Sequence, residues 1–482
     1  MKNRILVILF LLIYIVYHLI SLNVSPLPWF DEVVFASISN EFASSGKLIL
    51  KVAPYLAANE EITVYGPIYF FFTSTIIKLI GLGIFQFRII SLLFGFLCVV
   101  ILYKYFKLFQ INKKSIFLCL IIFLTDPIFN SSMHGGRMDT MALFFALCSI
   151  YCFLINLLGK FHSSYKLSFL SSLFAALAIL TTPRVAFLLL PIFLFLIFYF
   201  LKYKKITVFI SGIIWVVTIF LFYSIWFLYA FDSFDSFLRI YSNTAEAVKV
   251  GFFIPKLEIP LIITTATVII ISICYIGIRF FSEINIFSIL IIILFYLLVD
   301  DTGAYSVYIS PFYVFLIGNG MHTLDQLKKN KLINIVSAFI LTACISIFAL
   351  KGYVIFSSYS KRDPNNIAEF ISINIPKGSK IIGDEKFYYA ALDNDCDFQF
   401  LEWYKSDSYR EKFQREVYQY DFLLASDRIL KSQPNLFLLY SGNSVLIKVA
   451  ELKMDNELNL ISKKIGFSIT DSYDCIIYKR KI

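Results

Sequence analysis

Apolar runs of about twenty residues recur along most of the first 356 positions, and this repeat constrains the chain more than any motif. A run of that length, wound as a helix, crosses a hydrocarbon layer of roughly 30 Å. Such runs fall at about 5–22, 86–104, 115–131, 139–158, 166–182, 184–201, 206–229, 259–280, 284–300, 303–320 and 332–356. They predict an α-helical polytopic membrane protein with about eleven transmembrane helices. Only 16% of the 482 residues are charged, where soluble domains carry roughly a quarter. The net charge of +10 does not indicate nucleic acid, because Lys and Arg are scattered between the apolar runs as topology signals. The first run, after Lys2 and Arg4, is long for a signal peptide and lacks a small-residue cleavage site, so it reads as a retained span.

A further apolar run, Pro67–Gly81, decides the topology. If it crossed, Lys104, Lys107, Lys113 and Lys114 would fall outside. If it lies in the membrane without crossing, they fall inside, as do Lys160, Lys166, Lys202, Lys204, Lys205, Arg279, Lys328, Lys329 and Lys331. The second choice also puts Asp31, Glu32, Glu41, Glu60, Glu61, Asp139, Asp232, Asp235, Glu246, Asp300 and Asp301 outside. Residues 23–85 then form one long external loop within a membrane domain, 1–356. Val34, Ile38 and Phe42 recur at helical spacing in this loop, which predicts an amphipathic helix lying flat on the membrane. The N-terminus falls on the cytoplasmic side of a bacterial inner membrane.

After Phe356 the sequence turns polar. Asn365–Asn374 reads as a short amphipathic helix, and "SKIIGDE", "DFLLAS", "LFLLYS" and "SVLIKVAEL" read as strands. Residues 357–482 are expected to form a small extracytoplasmic α/β domain. The eight cysteines show no metal-ligand spacing, six lying in apolar runs; Cys396 and Cys475 in the tail are left open as a pair or as free thiols.

Candidate chemistry gathers at the outer ends of the spans. Asp31-Glu32 follows Trp29-Phe30 just past the first run. Two readings stay open. Acids in a first turn satisfy free N–H groups and the helix dipole; carboxylates held near hydrocarbon are costly and usually functional, for instance as a general base. In "HGGRMDT", 134–140, Arg137 runs against the positive-inside bias, leaving a local pair with Asp139 or recognition of a phosphate. Lys78, Arg88 and Arg184 are lone external cations, each a snorkelling residue taken singly and an anionic headgroup site taken with Arg137. Asp126 in "LTDPIF" doubles as a helix-break signal. His18, His162 and His322 read as isolated, and no Walker loop, dinucleotide fingerprint or HExxH occurs. A divalent ion shared by Asp31 and Asp139 is left open.

On these residues the chain resembles the GT-C class of polytopic glycosyltransferases. More closely it is similar to family 39, the bacterial branch of the dolichyl-phosphate-mannose protein mannosyltransferases. The matching stretches are "WFDEVVFASIS", "YGPIYFFFTSTIIKLIGLGIFQFRIISLLFG", "NSSMHGGRMDTMALFF" and "TTPRVAFLLLP", within roughly residues 1–200. The polar tail resembles that of lipid-modifying aminoarabinose transferases in placement. The resemblance implies a sugar donor carried on a polyprenyl phosphate and a lipid, glycan or protein acceptor. It matches Asp31 to the family's acidic residue that acts as base or positions the acceptor, and Asp139 to the second external acid, with Glu32 grouped beside them as a cap or as an orienter of Asp31; by chemical type Arg137, Arg88, Lys78 and Arg184 would hold the lipid phosphate. One departure is "YSVYISPFYVF", which has Tyr308 and Pro311 but lacks the basic residue many relatives place there. The rival class is a transporter or flippase of lipid-linked sugars, which predicts inverted repeats and charges near span centres.

Overall fold

The computed structural model describes residues 2–53, 61–159, 165–238, 283–299, 305–327, 330–400, 419–432, 445–454 and 472–481. The expected span 259–280, Asp300-Asp301 and the strand at 436–441 lie outside them. The apolar runs wind into α1 (Lys2–Ser21), α4 (Ile84–Leu108), α5 (Lys113–Thr125), α6 (Pro127–His134), α7 (Asp139–Leu158), α8 (Tyr165–Ile179), α9 (Ala186–Tyr203), α10 (Ile206–Ala230), α11 (Glu283–Leu298), α12 (Ser310–Gln326) and α13 (Asn330–Ser357). Among the described residues five helices are long and apolar enough to cross a membrane, or six if α5 and α6 form one bent span. The bend is 56° and falls at Asp126-Pro127, where proline cannot supply the helical N–H.

The helix α7 is central. Of its span, 78% is buried, against 22% for α10 and 17% for the window in α13. It packs on α4 and α8, and α8 packs on α10. Small hydroxyl residues let α7 and α8 approach closely: Ser171 Oγ donates to Ser149 O at 2.9 Å, and Asn156 Nδ2 to Ser168 Oγ at 2.9 Å. Whatever α7 carries at its N-terminus is therefore held by the interior of the bundle.

The first long loop supplies α2 (Phe30–Ser45) and α3 (Ile68–Ile80). Thirteen residues give α3 a length of about 20 Å, short of a bilayer core. The helix α2 is covered on more than one face. Glu32, Phe35, Ser37, Ile38, Ser39 and Glu41 are all buried. One side packs on α3, where Ser39 and Thr73 hydroxyls bond at 2.7 Å. On another, the Tyr388 phenol meets Ser37. The helical period of Val34, Ile38 and Phe42 marks one packing face, and the polar residues around it have protein partners of their own.

The polar tail forms α14 (Pro364–Asn374), α15 (Tyr388–Asp393) and α16 (Asp427–Ser432) with β1 (Lys380–Gly383), β2 (Asp397–Phe400), β3 (Phe422–Ala425), β4 (Val445–Leu452) and β5 (Cys475–Lys481). The sheet runs β2-β1-β3-β5-β4. Parallel β1 pairs β2 and β3, with Ile381 opposite Phe398 and Phe422, and β5 runs antiparallel between β3 and β4. All of β3 and the last three residues of β1 are buried, as befits central strands covered on both faces. Strands β2 and β5 were not anticipated, because "DFQF" is short and the apolar start of β5 runs into Lys479-Arg480-Lys481. Cys396 and Cys475 are both buried free thiols. Cys396 precedes β2 and Cys475 opens β5, three strand spacings or roughly 14 Å across the sheet, beyond a disulfide's reach.

The turn that starts α3 needs a glycine. A Cβ on Gly66 would lie 1.8 Å from the Leu180 carbonyl oxygen, and Ile68 N–H donates to that same carbonyl at 3.3 Å. We expect Gly66→Ala to lower the unfolding midpoint of the detergent-purified protein, costing at least about 1–3 kcal/mol, since backbone cannot yield as a side chain does. A midpoint equal to that of the unaltered protein would refute this packing.

Candidate active site

The segment between α6 and α7 is fixed through its own carbonyls. Gly135 O accepts from Trp29 Nε1 at 3.1 Å, Gly136 O from the Tyr69 hydroxyl at 2.8 Å, and Arg137 O from Ser91 Oγ at 2.7 Å. Three donors on α3, α4 and the entry to α2 thus replace the solvent these carbonyls would otherwise need. Gly136 has φ +58, and a Cβ there would meet the Phe87 ring at 2.8 Å and Glu32 Cγ at 3.0 Å. Both its backbone conformation and its surroundings require glycine.

The pinned segment aims Arg137 between two acids. Its Nη1 donates to Asp31 Oδ2 at 2.8 Å, and its Nε donates to Asp139 Oδ2. The rings of Trp29 and Tyr305 lie 5.2 and 5.0 Å from its guanidinium carbon. Burial works against the charge, but Asp139 and Asp31 hold the guanidinium well above its ordinary pKa. Asp139 is only 3% exposed, and its other oxygen accepts from the Tyr308 hydroxyl at 2.7 Å. Asp31 is 33% exposed and is the acid of this group open to a ligand. Arg184 lies across Tyr305, 4.4 Å from the ring, and donates to its hydroxyl. Burial pushes the Tyr305 phenol up to about 12, against the pull of Arg137 and Arg184, so it stays neutral and keeps its proton.

Asp31, Asp139 and Arg184 sit at or beside the starts of α2, α7 and α9. Three helix N-termini therefore contribute partial positive charge near one place, which favours an anion.

A second, fully buried pair lies behind the first. Arg88 Nε and Nη2 donate to Glu32 Oε1 and Oε2 at 2.8 and 2.7 Å, and Nη1 donates to Leu22 O at 2.6 Å. Neither side chain is exposed. Burial raises the Glu32 pKa, while Arg88 and the Tyr389 hydroxyl oppose the rise. These placements separate the acids and cations that the sequence groups together. Arg88 is spent on Glu32 and the end of α1, and is closed off from a lipid phosphate. Glu32 and Asp139, grouped with Asp31 as catalytic, are buried with protein partners on both oxygens. Lys78 is also not brought to the site: it is exposed in the last turn of α3, about 13 Å along the helix from Tyr69.

Further pairings were not foreseen. His18, read as isolated, bonds through Nδ1 to His134 Nε2, and His134 Nδ1 lies 2.8 Å from Ser25 O. A carbonyl only accepts, so in neutral rings His134 Nδ1 carries the proton and His18 donates to His134. Asp126 accepts from Ser310 Oγ at 2.6 Å at the α5–α6 bend. Tyr305 and Tyr308, three residues apart, both reach the Arg137–Asp139 pair, the Tyr305 ring against Arg137 and the Tyr308 hydroxyl on Asp139; their helical spacing was the available signal.

The donor set does not favour a divalent ion shared by Asp31 and Asp139. The guanidinium of Arg137 lies between the two carboxylates, and among the described residues no group of three or more His, Cys, Asp or Glu is placed to hold a metal.

Fold and sequence comparisons converge on one class. Residues 65–226 match the family model described as dolichyl-phosphate-mannose-protein mannosyltransferase, about a third of the chain. The structure of ArnT from Cupriavidus metallidurans bound to undecaprenyl phosphate superposes with a TM-score of 0.65 at 13% identity, covering 98% of this chain and 97% of that one. The apo structure of the same ArnT gives a TM-score of 0.58 at 13% identity, over 99% and 98%. No curated protein matches the sequence. The chain thus has the ArnT fold over its whole length, a polytopic membrane architecture. The resemblance to family 39 of the GT-C class is supported by both the family model and that fold.

The buried pair makes a sharp prediction. Arg88→Ala leaves the Glu32 carboxylate without its counter-charge and should destabilise the protein by about 3–5 kcal/mol. Arg88→Met combined with Glu32→Gln should recover much of that loss. Thermal unfolding in detergent checks both, and an Arg88→Ala midpoint within a degree of the unaltered protein would refute the pairing.

Proposed function

We propose that this protein is a membrane glycosyltransferase that moves a hexosyl or pentosyl group from a polyprenyl-phosphate donor to an extracytoplasmic acceptor. The observation that carries the reading is the Asp31–Arg137–Asp139 bridge beside Arg184: one partly exposed carboxylate next to two cations at converging helix starts. The fold shared with an ArnT bound to undecaprenyl phosphate supports the same class of donor.

The chemistry follows from which groups are open. A donor phosphate meets Arg137 and Arg184 and competes with Asp31 for Arg137. Asp31, so released, takes the proton of an acceptor hydroxyl or amine. The acceptor atom bonds to the anomeric carbon, the carbon–oxygen bond to phosphate breaks, and the polyprenyl phosphate leaves with the electron pair. Its growing charge is met by the two guanidinium groups, where fixed cations act best. Asp139 and Tyr308 touch no substrate; they hold Arg137 in place. Stored energy in the sugar phosphate drives transfer, so no nucleotide site is needed. In this reading residues 1–356 are the membrane domain and 357–482 the extracytoplasmic domain of an inner-membrane protein whose N-terminus is cytoplasmic. The acceptor is a lipid, a glycan or a protein.

A carrier of lipid-linked sugars would place its charges near span centres. Here Asp31, Asp139 and Arg184 stand at helix starts and Arg137 in a connection, which favours chemistry at a surface.

Asp31→Asn should lower transfer from an undecaprenyl-phosphate-linked sugar by about 10²–10⁴-fold with the fold intact, as expected for loss of a general base. Arg184→Ala should weaken undecaprenyl phosphate binding. Wild-type transfer by purified Asp31→Asn would remove Asp31 from the mechanism, and unchanged binding by Arg184→Ala would remove Arg184 from the phosphate site.

A further inference from the structure

The polar tail reaches the carboxylate helix at several points. The Tyr389 hydroxyl, on α15, donates to Glu32 Oε1 at 3.3 Å. Its neighbour Tyr388 meets Ser37 one and a half turns further along α2. Arg362, just ahead of α14, donates from Nε to Val24 O at 2.7 Å, in the connection between α1 and α2. All three side chains are buried, with Arg362 2%, Tyr388 2% and Tyr389 4% exposed.

These contacts bear on the site because Asp31 and Glu32 are consecutive on one helix. Side chains one residue apart point about 100° from each other. Glu32 faces inward to Arg88, and Asp31 faces the partly open side toward Arg137. Fixing the direction of Glu32 therefore fixes the direction of Asp31. Besides Glu32, the first turn of α2 is tied by Asp31, which accepts from Arg137 Nη1 at 2.8 Å, and by the buried Val33. The N-cap residue, Trp29, makes no capping hydrogen bond with its side chain; the Trp29 indole instead bonds to Gly135 O. The first turn is oriented by Glu32, and Glu32 has two side-chain partners, Arg88 and Tyr389.

We infer that Tyr389 is a positioning residue: by holding Glu32 from the polar tail it sets the rotation of the first turn of α2, and so the aim of Asp31 at the acceptor. The tail is thereby part of the apparatus that orients the base. The inference rests on the transferase reading where it concerns Asp31, but the orientation of α2 is testable without any activity.

The experiment compares the purified full chain with Tyr389→Phe, Glu32→Gln and the double variant. Tyr420→Phe, altered elsewhere in the tail, is the control. The first readout is amide hydrogen exchange of the segment 30–36. Tyr389→Phe should raise it about five- to tenfold, the loss expected for an ordinary net hydrogen bond, as befits one of 3.3 Å, and Tyr420→Phe should not. The second readout is transfer from an undecaprenyl-phosphate-linked sugar. Tyr389→Phe should lower kcat about fivefold with KM for the donor within twofold, and should lower it less once Glu32→Gln has replaced the charged acceptor with a neutral amide oxygen. Exchange at the unaltered rate in Tyr389→Phe would overturn the inference whatever the activity. An equal fall in kcat with and without Glu32→Gln would overturn it as well, since Tyr389 would not then act through Glu32. Faster exchange in a protein with no transferase activity would refute the proposed function and leave the hold on α2 standing.

Discussion

The fully buried pair of Glu32 and Arg88 is the interaction on which the rest of the site depends. Taking both charges out of water is expensive, and only good geometry with every polar atom engaged offsets that cost. Here the two side chains meet through two parallel hydrogen bonds, and the remaining Arg88 terminal nitrogen is taken by the last turn's neighbour, Leu22. One pair therefore joins the exit of α1, the start of α2 and the first turns of α4. It also lies against Gly136, so the segment that carries Arg137 is packed over it. The pair contributes a fixed frame, and the exposed chemistry is arranged around that frame.

Between the two ion pairs the division of labour is set by exposure. The inner pair is dry and its members bind each other. The outer one contains a partly exposed carboxylate, a cation braced by a second acid, and two aromatic rings against that cation. Adjacent residues in the sequence thus have opposite surroundings, Glu32 dry and fully paired, Asp31 partly open, because a helix turns by about 100° between them.

Much of this was legible in the sequence where a single physical demand dominates. Apolar length located the helices, and Asp126-Pro127 marked a break that the structure bends by 56°. The carboxylates in the first external loop and the "HGGRMD" connection were found because charge near hydrocarbon needs a reason. What sequence did not convey was pairing across distance. Arg88 and Arg184 look alike as lone external cations, yet one is consumed by Glu32 and the other is shared with Tyr305, while Arg137, whose pairing with Asp139 the sequence offered, is also bonded to Asp31. His18 and His134, 116 positions apart, gave no hint of each other. The buried sides of α2 were hidden for the same reason: its polar residues satisfy partners that only the fold brings near.

The bend between α5 and α6 governs depth. The eight residues of α6 span about 12 Å. Continued straight from α5, they would carry His134 that whole distance further along the α5 axis. Tilted by 56°, they advance only about 7 Å along it and travel roughly 10 Å sideways. The connection bearing Arg137 therefore begins about 5 Å less far along the α5 axis, and roughly 10 Å to its side, than a straight helix would leave it, which sets it against the start of α7.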